Sequence, residues 1–423
     1  MSPSSTSNSE PRGSRHDRRA IARFVLRALV FCAPLLAGAL LFEVAMYRTR
    51  DSWPIEKVIA AQQEAAAKSG SGESLLGRAN FSQQYNLSKS LMVQNRRPSI
   101  LALGSSRVME FRSFMFHPHE AEFYNAGGLI QNVNDLAEFA RQVRQGKRHA
   151  PRVIIIGIDP WWVSEATDPV EKKSWLVGES DAVYSFSSHV EAARYLLRAG
   201  KSTFPWAVAF GGRAPVSPAY NYPAYGITAI SAGIGERFSD GSFLYTAHLQ
   251  DFLKHPVYRD RLAMPVLDQV KRRYFLFAPT SRVEPVRASM LVQSLVQLKQ
   301  AGIEVYAYLP PFASEVRRAL DESQELRVWW SEYKEQLPQR LAAEGIPCLS
   351  VASPADYGLD DTYMFDAIHP GELLDARIVE DLARRAPPGS LLGSIDLNYL
   401  SALREKEGTI PLAFEPPPPG VRE

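Results

Sequence analysis

Short apolar runs alternate with longer amphipathic segments over most of the chain after residue 98. Several runs are rich in β-branched residues and continuously apolar, which is typical of parallel strands covered on both faces. The predicted strands are 100–103, 122–124, 153–156, 303–308 and 347–351, and the predicted helices are 132–144, 284–301, 323–344 and 371–385. Because the two types alternate, we predict an α/β domain, a three-layer sandwich with a mostly parallel central sheet.

The longest apolar run lies near the N-terminus, over residues 24–47. Its length approaches the roughly 20 residues that a helix needs to cross a bilayer. Six arginines lie within residues 1–27, against Glu10 and Asp17. The positive-inside tendency therefore predicts one uncleaved transmembrane signal anchor, with residues 1–23 as a basic cytoplasmic tail.

The body of the protein would then lie on the far side of the membrane, which is the periplasm if the membrane is a bacterial inner membrane. A cleaved signal peptide is the alternative, because Ala37-Gly38-Ala39 has the small residues of a cleavage site. Such a cut would fall within the apolar run, which favours the anchor.

The remaining chain divides by composition. An Ala- and Gln-rich helical patch, a Ser-Gly-Ser-Gly stretch and a polar segment make residues 48–98 a predicted stalk or spacer. Residues 99–386 form the predicted α/β domain. An aromatic, Gly- and Pro-rich stretch without strand–helix alternation, about 163–282, is predicted to be an insertion in it. Residues 387–423 are predicted to be a Pro-rich tail.

Composition and charge exclude some functions. The 423 residues are 45% hydrophobic and 22% charged, which is normal for a packed protein. The net charge is +2, of which residues 1–27 supply +4, so the rest of the chain carries −2. A body without a basic excess is a poor ligand for nucleic acid. The two cysteines provide neither a disulfide framework nor a zinc site, and we expect no metal or cofactor.

Gly104-Ser105-Ser106 follows the first predicted strand of the sheet. In an open parallel sheet, ligands bind outside the carboxyl ends of the strands. A serine at this place can act as a nucleophile, and the alternative is that Ser106 only caps the following helix.

Asp366-Ala367-Ile368-His369 lies in a loop before the last predicted core helix. A serine hydroxyl needs a base to take its proton, and an aspartate must hold that base in the correct tautomer. Asp366 and His369 are the candidates for these two roles, although this pattern also occurs in ordinary solvated loops.

The second strand ends in Asn125-Ala126-Gly127, where backbone N–H groups can approach a substrate. An ordinary strand-to-helix turn is the alternative. His117 and His119 are interpreted as part of a solvated turn and not as metal ligands, because a proline separates them and no third ligand is evident.

In order along the chain, Gly104-x-Ser106, Asn125-x-Gly127, Gly157-x-Asp159 and Asp366-x-x-His369 resemble the four blocks of the SGNH (GDSL-like) hydrolase superfamily, whose fold is flavodoxin-like. The resemblance is closest to membrane-anchored proteins of alginate O-acetylation and teichoic-acid D-alanylation. It implies that Ser106 is the nucleophile, His369 the base and Asp366 its orienting acid. It also implies that the backbones of Ser106 and Gly127 contribute to the oxyanion hole.

The third block departs from the family pattern, because Asp159 stands where the family has an asparagine that donates to the oxyanion. An ionised carboxylate only accepts hydrogen bonds. Either Asp159 faces elsewhere and Asn125 or Asn132 donates, or the protein binds acyl groups without fast turnover.

Three neighbouring residues are candidates for substrate binding. Trp161 and Trp162 could offer aromatic faces to sugar rings, or they could belong to the core. Arg107 could steer an anionic polymer, or it could form an ordinary ion pair.

The resemblance implies a periplasmic acyltransferase or esterase that acts on cell-surface polysaccharide through an acyl-serine. A membrane-embedded acyltransferase that supplies the acyl donor is the implied partner. The alternatives are a non-catalytic glycan-binding or assembly subunit of a polysaccharide-modification complex, and a structural stalk in envelope synthesis.

Overall fold

The computed structural model describes residues 15–68, 72–77, 81–166, 173–178, 190, 193–194, 205–218, 220–245 and 258–405. The helices are α1 Arg15–Arg48, α2 Ile55–Lys68, α3 Phe81–Arg96, α4 Val133–Arg144, α5 Trp206–Ala209, α6 Ile227–Ala232, α7 Tyr258–Arg272, α8 Pro285–Gln300, α9 Ser314–Glu322, α10 Arg327–Ser331, α11 Leu337–Ala343, α12 Glu372–Arg385 and α13 Leu397–Glu405. The strands are β1 Leu75–Leu76, β2 Ile100–Gly104, β3 Phe123–Gly127, β4 Val153–Gly157, β5 Ala224–Tyr225, β6 Ile234–Arg237, β7 Phe243–Tyr245, β8 Glu304–Leu309 and β9 Cys348–Ser350.

The larger sheet has five strands in the order β3-β2-β4-β8-β9, and every neighbouring pair is parallel. Its five strands lie where the apolar runs predict them. In register, Ile100 lies opposite both Phe123 and Val153, and Tyr308 lies opposite Leu349. The predicted α/β class with a mostly parallel sheet is therefore confirmed.

Both faces of this sheet are buried, which explains the continuously apolar strands. Leu101 and Leu103 of β2 join a core that includes side chains of α4 and α8. Ile100 and Ala102, which point the opposite way, join a second core that includes side chains of α12. Because successive side chains of a strand point to opposite faces of the sheet, one strand contributes to both cores.

Helix α1 contains a stretch, Arg19–Arg48, that is long and apolar enough to cross a membrane, with a mean hydropathy of 2.2 in its most apolar window. None of that window is buried against the rest of the protein. The helix begins at Arg15, so part of the predicted basic tail is helical, and residues 1–14 lie outside the described residues.

The stalk predicted for residues 48–98 is wrong, because this segment belongs to the folded body. Ile55, Val58 and Ile59 of α2 are buried in the same core as Leu103. Strand β1 pairs with β5 and β6 in a second, four-stranded sheet of order β5-β1-β6-β7. A two-residue strand offers no periodicity that sequence reading can detect, and the neighbouring Ser-Gly stretch is typical of a linker.

The predicted insertion, about 163–282, lies partly outside the described residues. Its described part supplies β5, β6 and β7 of the second sheet. The predicted Pro-rich tail is also partly corrected. Leu391, Leu392 and Leu400 are buried in the core beneath α12, whereas residues 406–423 lie outside the described residues.

The predicted helix 323–344 is interrupted. It consists of α10, a π-helical turn Glu332–Gln336 and α11. Pro338 lies in the first turn of α11. Because proline has no N–H to donate, regular α-helical bonding cannot run through this position.

Candidate active site

The candidate chemical residues collect at the carboxyl edge of the parallel sheet. Strand β2 ends at Gly104 immediately before Ser105 and Ser106, and β4 ends at Gly157 shortly before Asp159. Parallel strands bring their carboxyl ends to one edge, so these residues are neighbours although about 50 positions separate them in sequence.

The turn after β2 requires glycine. Gly104 has a φ of +150°, and a Cβ there would lie 2.9 Å from both the Gly157 carbonyl oxygen and Val108 Cγ1. Backbone of two strands therefore approaches closely at this point, which fixes the direction in which the next residues leave the sheet.

Ser105 and Ser106 have different roles. The Ser105 hydroxyl accepts a hydrogen bond from the Arg107 N–H at 3.3 Å and so caps the short 3₁₀ helix Ser106–Val108. The capping role considered for Ser106 therefore belongs to its neighbour. The Ser106 Oγ instead lies 2.9 Å from His369 Nε2.

His369 is held by Asp366 on its other side. His369 Nδ1 lies 2.7 Å from Asp366 Oδ2, and Asp366 Oδ1 accepts the backbone N–H groups of Ile368 and His369, each at 2.8 Å. The Phe365 N–H donates to the His369 carbonyl at 2.9 Å and closes the loop. The loop therefore fixes the imidazole before any substrate arrives.

The charge state of Asp366 suits this role. Burial alone would raise the pKa of its carboxyl, but the His369 side chain and the two backbone N–H groups outweigh burial and lower the pKa to about 2. Asp366 is thus ionised at neutral pH and accepts the Nδ1 proton, which directs the lone pair of Nε2 toward Ser106.

Arg107 does not face solvent, so the anion-steering role considered for it is wrong. Its side chain is completely buried. It donates to the Ile368 carbonyl at 2.8 Å from Nε, and to the Pro310 carbonyl at 2.8 Å and the Pro311 carbonyl from Nη2. The guanidinium therefore ties the histidine loop to the end of β8.

Asp159 is the charged partner of Arg107. Its Oδ1 accepts from Arg107 Nη1 at 3.2 Å, and both side chains are fully buried. Burial raises the pKa of the Asp159 carboxyl, and the Arg107 charge offsets only part of that rise. Asp159 thus balances the buried arginine next to Ser106.

Asn125 and Gly127 do not supply free hydrogen-bond donors, contrary to the expectation from sequence. Asn125 Nδ2 donates to the carbonyls of Val108 at 2.8 Å and Phe111 at 2.9 Å. Asn125 Oδ1 accepts the Gly127 N–H at 2.7 Å. Because all these groups are engaged, Asn125 and Gly127 hold the loop after Ser106 and do not face a reacting oxygen.

For the backbone N–H of Ser106 and the Nδ2 group of Asn132, both at this edge, no acceptor is found within the described part of the chain. Asn132 caps α4, since its Oδ1 accepts the N–H groups of Asn134 and Asp135, each at 3.0 Å. The cap uses only the oxygen of the Asn132 amide, so its NH₂ group takes no part in it.

Of the two tryptophans, Trp162 is completely buried and cannot stack on a sugar, which corrects that expectation. Trp161 is half-buried, and its ring centroid lies 5.5 Å from the Arg107 guanidinium carbon. Trp161 alone retains a surface that a ligand could contact.

The two histidines of the predicted solvated turn each contact a nearby carboxylate. His117 Nδ1 lies 2.5 Å from Glu120 Oε1, and His119 Nδ1 lies 3.0 Å from Glu122 Oε1. Among the described residues, no group of three or more His, Cys, Asp or Glu side chains is arranged to hold a metal ion.

Sequence reasoning missed the contribution of α3. Lys89 Nζ donates to the Asn125 carbonyl at 2.7 Å and to the Gly241 carbonyl, and lies 3.4 Å from Glu236. A buried lysine therefore links the predicted stalk, the second sheet and the end of β3. Nothing in the local sequence distinguishes Lys89 from a surface lysine.

Comparison with protein-family models, curated proteins and solved structures finds no match.

Proposed function

We propose that the protein is a serine-dependent acyltransferase or esterase. The observation that carries this proposal is the line of hydrogen bonds from Asp366 through His369 to the Ser106 hydroxyl, with distances of 2.7 and 2.9 Å. Three side chains separated by up to 263 positions form it at the one edge of the sheet where ligands bind. A solvated loop does not need such an arrangement.

In the proposed reaction, Ser106 Oγ attacks the acyl carbonyl carbon while its proton passes to His369 Nε2. The tetrahedral intermediate collapses as His369 returns that proton to the leaving oxygen, which leaves an acyl ester on Ser106. An acceptor hydroxyl then attacks the ester carbonyl and gives its proton to His369. As the bond between the acyl carbon and Ser106 Oγ breaks, His369 passes that proton to Oγ, which restores the free serine and leaves the acyl group on the acceptor. Water as acceptor makes the enzyme an esterase, and a sugar hydroxyl makes it a transferase.

The negative charge on the intermediate needs hydrogen-bond donors. We assign this role to the Ser106 N–H and the Asn132 amide, for which no acceptor is found at this edge among the described residues. Asp159 is not needed as a donor, because Arg107 engages it. With these two donors, the proposed reaction does not require an asparagine at position 159.

The proposed setting is a flavodoxin-like three-layer sandwich of the SGNH type, with residues of about 163–282 inserted and α1 as a single-pass anchor. The basic residues before the apolar run 24–47 favour a cytoplasmic N-terminus and a periplasmic body. An anchored body would be placed near a membrane-embedded acyl donor, with cell-surface polysaccharide as acceptor.

The test is hydrolysis of 4-nitrophenyl acetate by the full chain in detergent or nanodiscs, with Ser106→Ala and Ser105→Ala compared. Ser105 is the matched control, because it is the adjacent serine and its hydroxyl caps the helix. We expect Ser106→Ala to abolish hydrolysis and Ser105→Ala to retain most of it. Equal activity in wild type and Ser106→Ala would reject the proposed nucleophile.

A second candidate is a non-catalytic glycan-binding subunit, which the engaged donors of Asn125 and Gly127 favour. This candidate predicts saturable polysaccharide binding that Ser106→Ala leaves unchanged, together with no acyl-serine in the presence of an activated ester. Formation of an acyl-serine would exclude it.

A further inference from the structure

The end of α1 is fixed to the body. Ala45, Met46 and Thr49 are buried, and the Thr49 carbonyl accepts the Gly226 N–H at 2.8 Å. The Arg50 side chain donates to the Ala224 carbonyl at 3.4 Å, next to that bond in the second sheet. The body therefore does not hang from a flexible stalk, and its surface next to α1 has a defined orientation relative to the helix.

Short helix α5 packs against α1 and has two different apolar faces. Val208 and Ala209 face the body and are buried. Trp206 and Phe210 face outward, with 57% and 47% of their surfaces exposed and their ring centroids 5.8 Å apart. Since the two residues are four positions apart, their rings form one patch on one side of the helix.

The chain around the same end of α1 is rich in aromatic and basic side chains. Tyr47 and Trp53 have ring centroids 5.9 Å apart, and Lys57 Nζ lies 4.0 Å from the Trp53 centroid. The composition Trp, Tyr, Lys and Arg is typical of the level at which a helix leaves the hydrocarbon region. The described side chains of α1 are exposed over residues 19–41 and become buried only toward its C-terminal end. Helix α5 therefore packs on α1 at that end, which is the side of the body where the membrane surface would lie.

We propose that Trp206 and Phe210 insert into the lipid bilayer beside α1 and form a second membrane contact of the body. The apolar side chains of α1 are exposed from Ile21 to Leu41, and α5, which carries the patch, packs against the same helix. The lipid that would surround α1 is therefore the apolar phase nearest to the patch. Aromatic rings on a helix lying in the interface are a common means of membrane attachment. This inference rests on the proposed single-span anchor and is independent of the proposed enzymatic activity.

Two contacts would fix the tilt of the body relative to the membrane, whereas a single span would leave that tilt free to vary. The carboxyl edge of the sheet, with Ser106, would then face a constant direction relative to the membrane surface.

The test places an environment-sensitive fluorophore at one cysteine at a time in the full chain with Cys32→Ala and Cys348→Ala. The chain is reconstituted in phosphatidylcholine–phosphatidylglycerol vesicles with and without brominated lipid, and iodide is the aqueous quencher. Phe210→Cys is the test position. Val328→Cys is the matched control, since it is 48% exposed on α10, and Leu35→Cys reports the span.

We expect brominated lipid to quench the label at 210 roughly threefold more than the label at 328, and iodide to show the opposite order. If brominated lipid quenches the label at 35 while iodide quenches the labels at both 210 and 328, the membrane patch is overturned and the anchor stands. Absence of lipid quenching at 35 would overturn the anchor and the patch together. Protection of 210 from both quenchers would indicate a protein partner and would also overturn the proposal.

Discussion

The two sides of the candidate active site differ in the direction of their hydrogen bonds. On the base side, Asp366 and His369 form bonds that lead outward to the Ser106 hydroxyl. On the other side, which holds Asn125, Gly127 and Asn132, lies the proposed oxyanion site, and we call it the oxyanion side. There, Asn125 bonds to the Val108 carbonyl and to the Gly127 N–H, and these bonds hold the loop after Ser106. The base side is therefore arranged for proton transfer, whereas most polar groups on the oxyanion side maintain structure.

This difference makes the base side the more sensitive to substitution. His369→Ala should lower kcat for ester hydrolysis or transfer by about 10⁴-fold or more, because among the described residues no other base is bonded to the Ser106 hydroxyl. The double variant Ser106→Ala/His369→Ala should lose no more than Ser106→Ala alone, since the residues act as a unit. Additive losses, measured by steady-state kinetics on folded variants, would contradict a shared proton-transfer step.

Asp366→Asn keeps the size of the side chain and removes the charge that orients His369. We expect kcat to fall by about 10²- to 10⁴-fold, with the KM for substrate little changed. A loss of less than threefold would show that the loop backbone, and not the carboxylate, positions the imidazole.

The same variant tests the pH dependence of stability. The folded protein lowers the pKa of Asp366 from 3.8 to about 2, so the ionised carboxylate stabilises the fold above about pH 4. That stabilisation is lost as the pH falls through the folded-state pKa. The Tm difference between wild type and Asp366→Asn should therefore shrink between pH 5 and about pH 2. A constant difference over this range would contradict the assignment.

Arg107 lies between the two sides of the site, and its loss should affect both stability and rate. Arg107→Met leaves Asp159 buried without its charged partner, which should lower the free energy of unfolding by about 3–5 kcal/mol. It also frees the Ile368 carbonyl that holds the histidine loop, so we expect kcat to fall by roughly 10- to 100-fold.

The double variant Arg107→Met/Asp159→Leu separates these two effects. Removing both charges should restore part of the stability, since an apolar pair can replace a buried ion pair. It should not restore kcat, because the loop still lacks its guanidinium donor. Recovery of both quantities together would mean that Arg107 is only structural.

The smallest expected effect concerns the oxyanion side. Asn132→Ser keeps an oxygen that can cap α4 but removes the amide NH₂, so kcat should fall by about 10-fold with little change in Tm. Asn132→Ala serves as the control for the cap, and its Tm should fall. An unchanged kcat in Asn132→Ser would leave the Ser106 N–H as the donor assigned to the oxyanion.

The base side could be predicted from sequence because its signals are local. Gly104-Ser105-Ser106 follows an apolar strand, and Asp366 and His369 are three positions apart before a helix. Parallel pairing then brings the two segments to one edge. The same local signals located all five strands of the larger sheet.

The surroundings of Arg107 and the oxyanion side could not be predicted, because their arrangement depends on contacts between distant residues. The buried Arg107 is bonded to Asp159 and to the carbonyls of Pro310 and Pro311, which lie 52 to 204 positions away. The sequence near residue 107 contains no pattern from which these partners could be predicted. The second sheet was missed for a similar reason, since Leu75–Leu76 finds its neighbours more than 140 positions away.

The most direct test of the central claim is covalent labelling of the full chain with a fluorophosphonate, followed by peptide mapping by mass spectrometry. We predict one adduct, on Ser106, that is absent in Ser106→Ala, forms much more slowly in His369→Ala and is retained in Ser105→Ala. Failure of the folded, membrane-reconstituted protein to react, or an adduct on another residue at the wild-type rate, would contradict an activated Ser106.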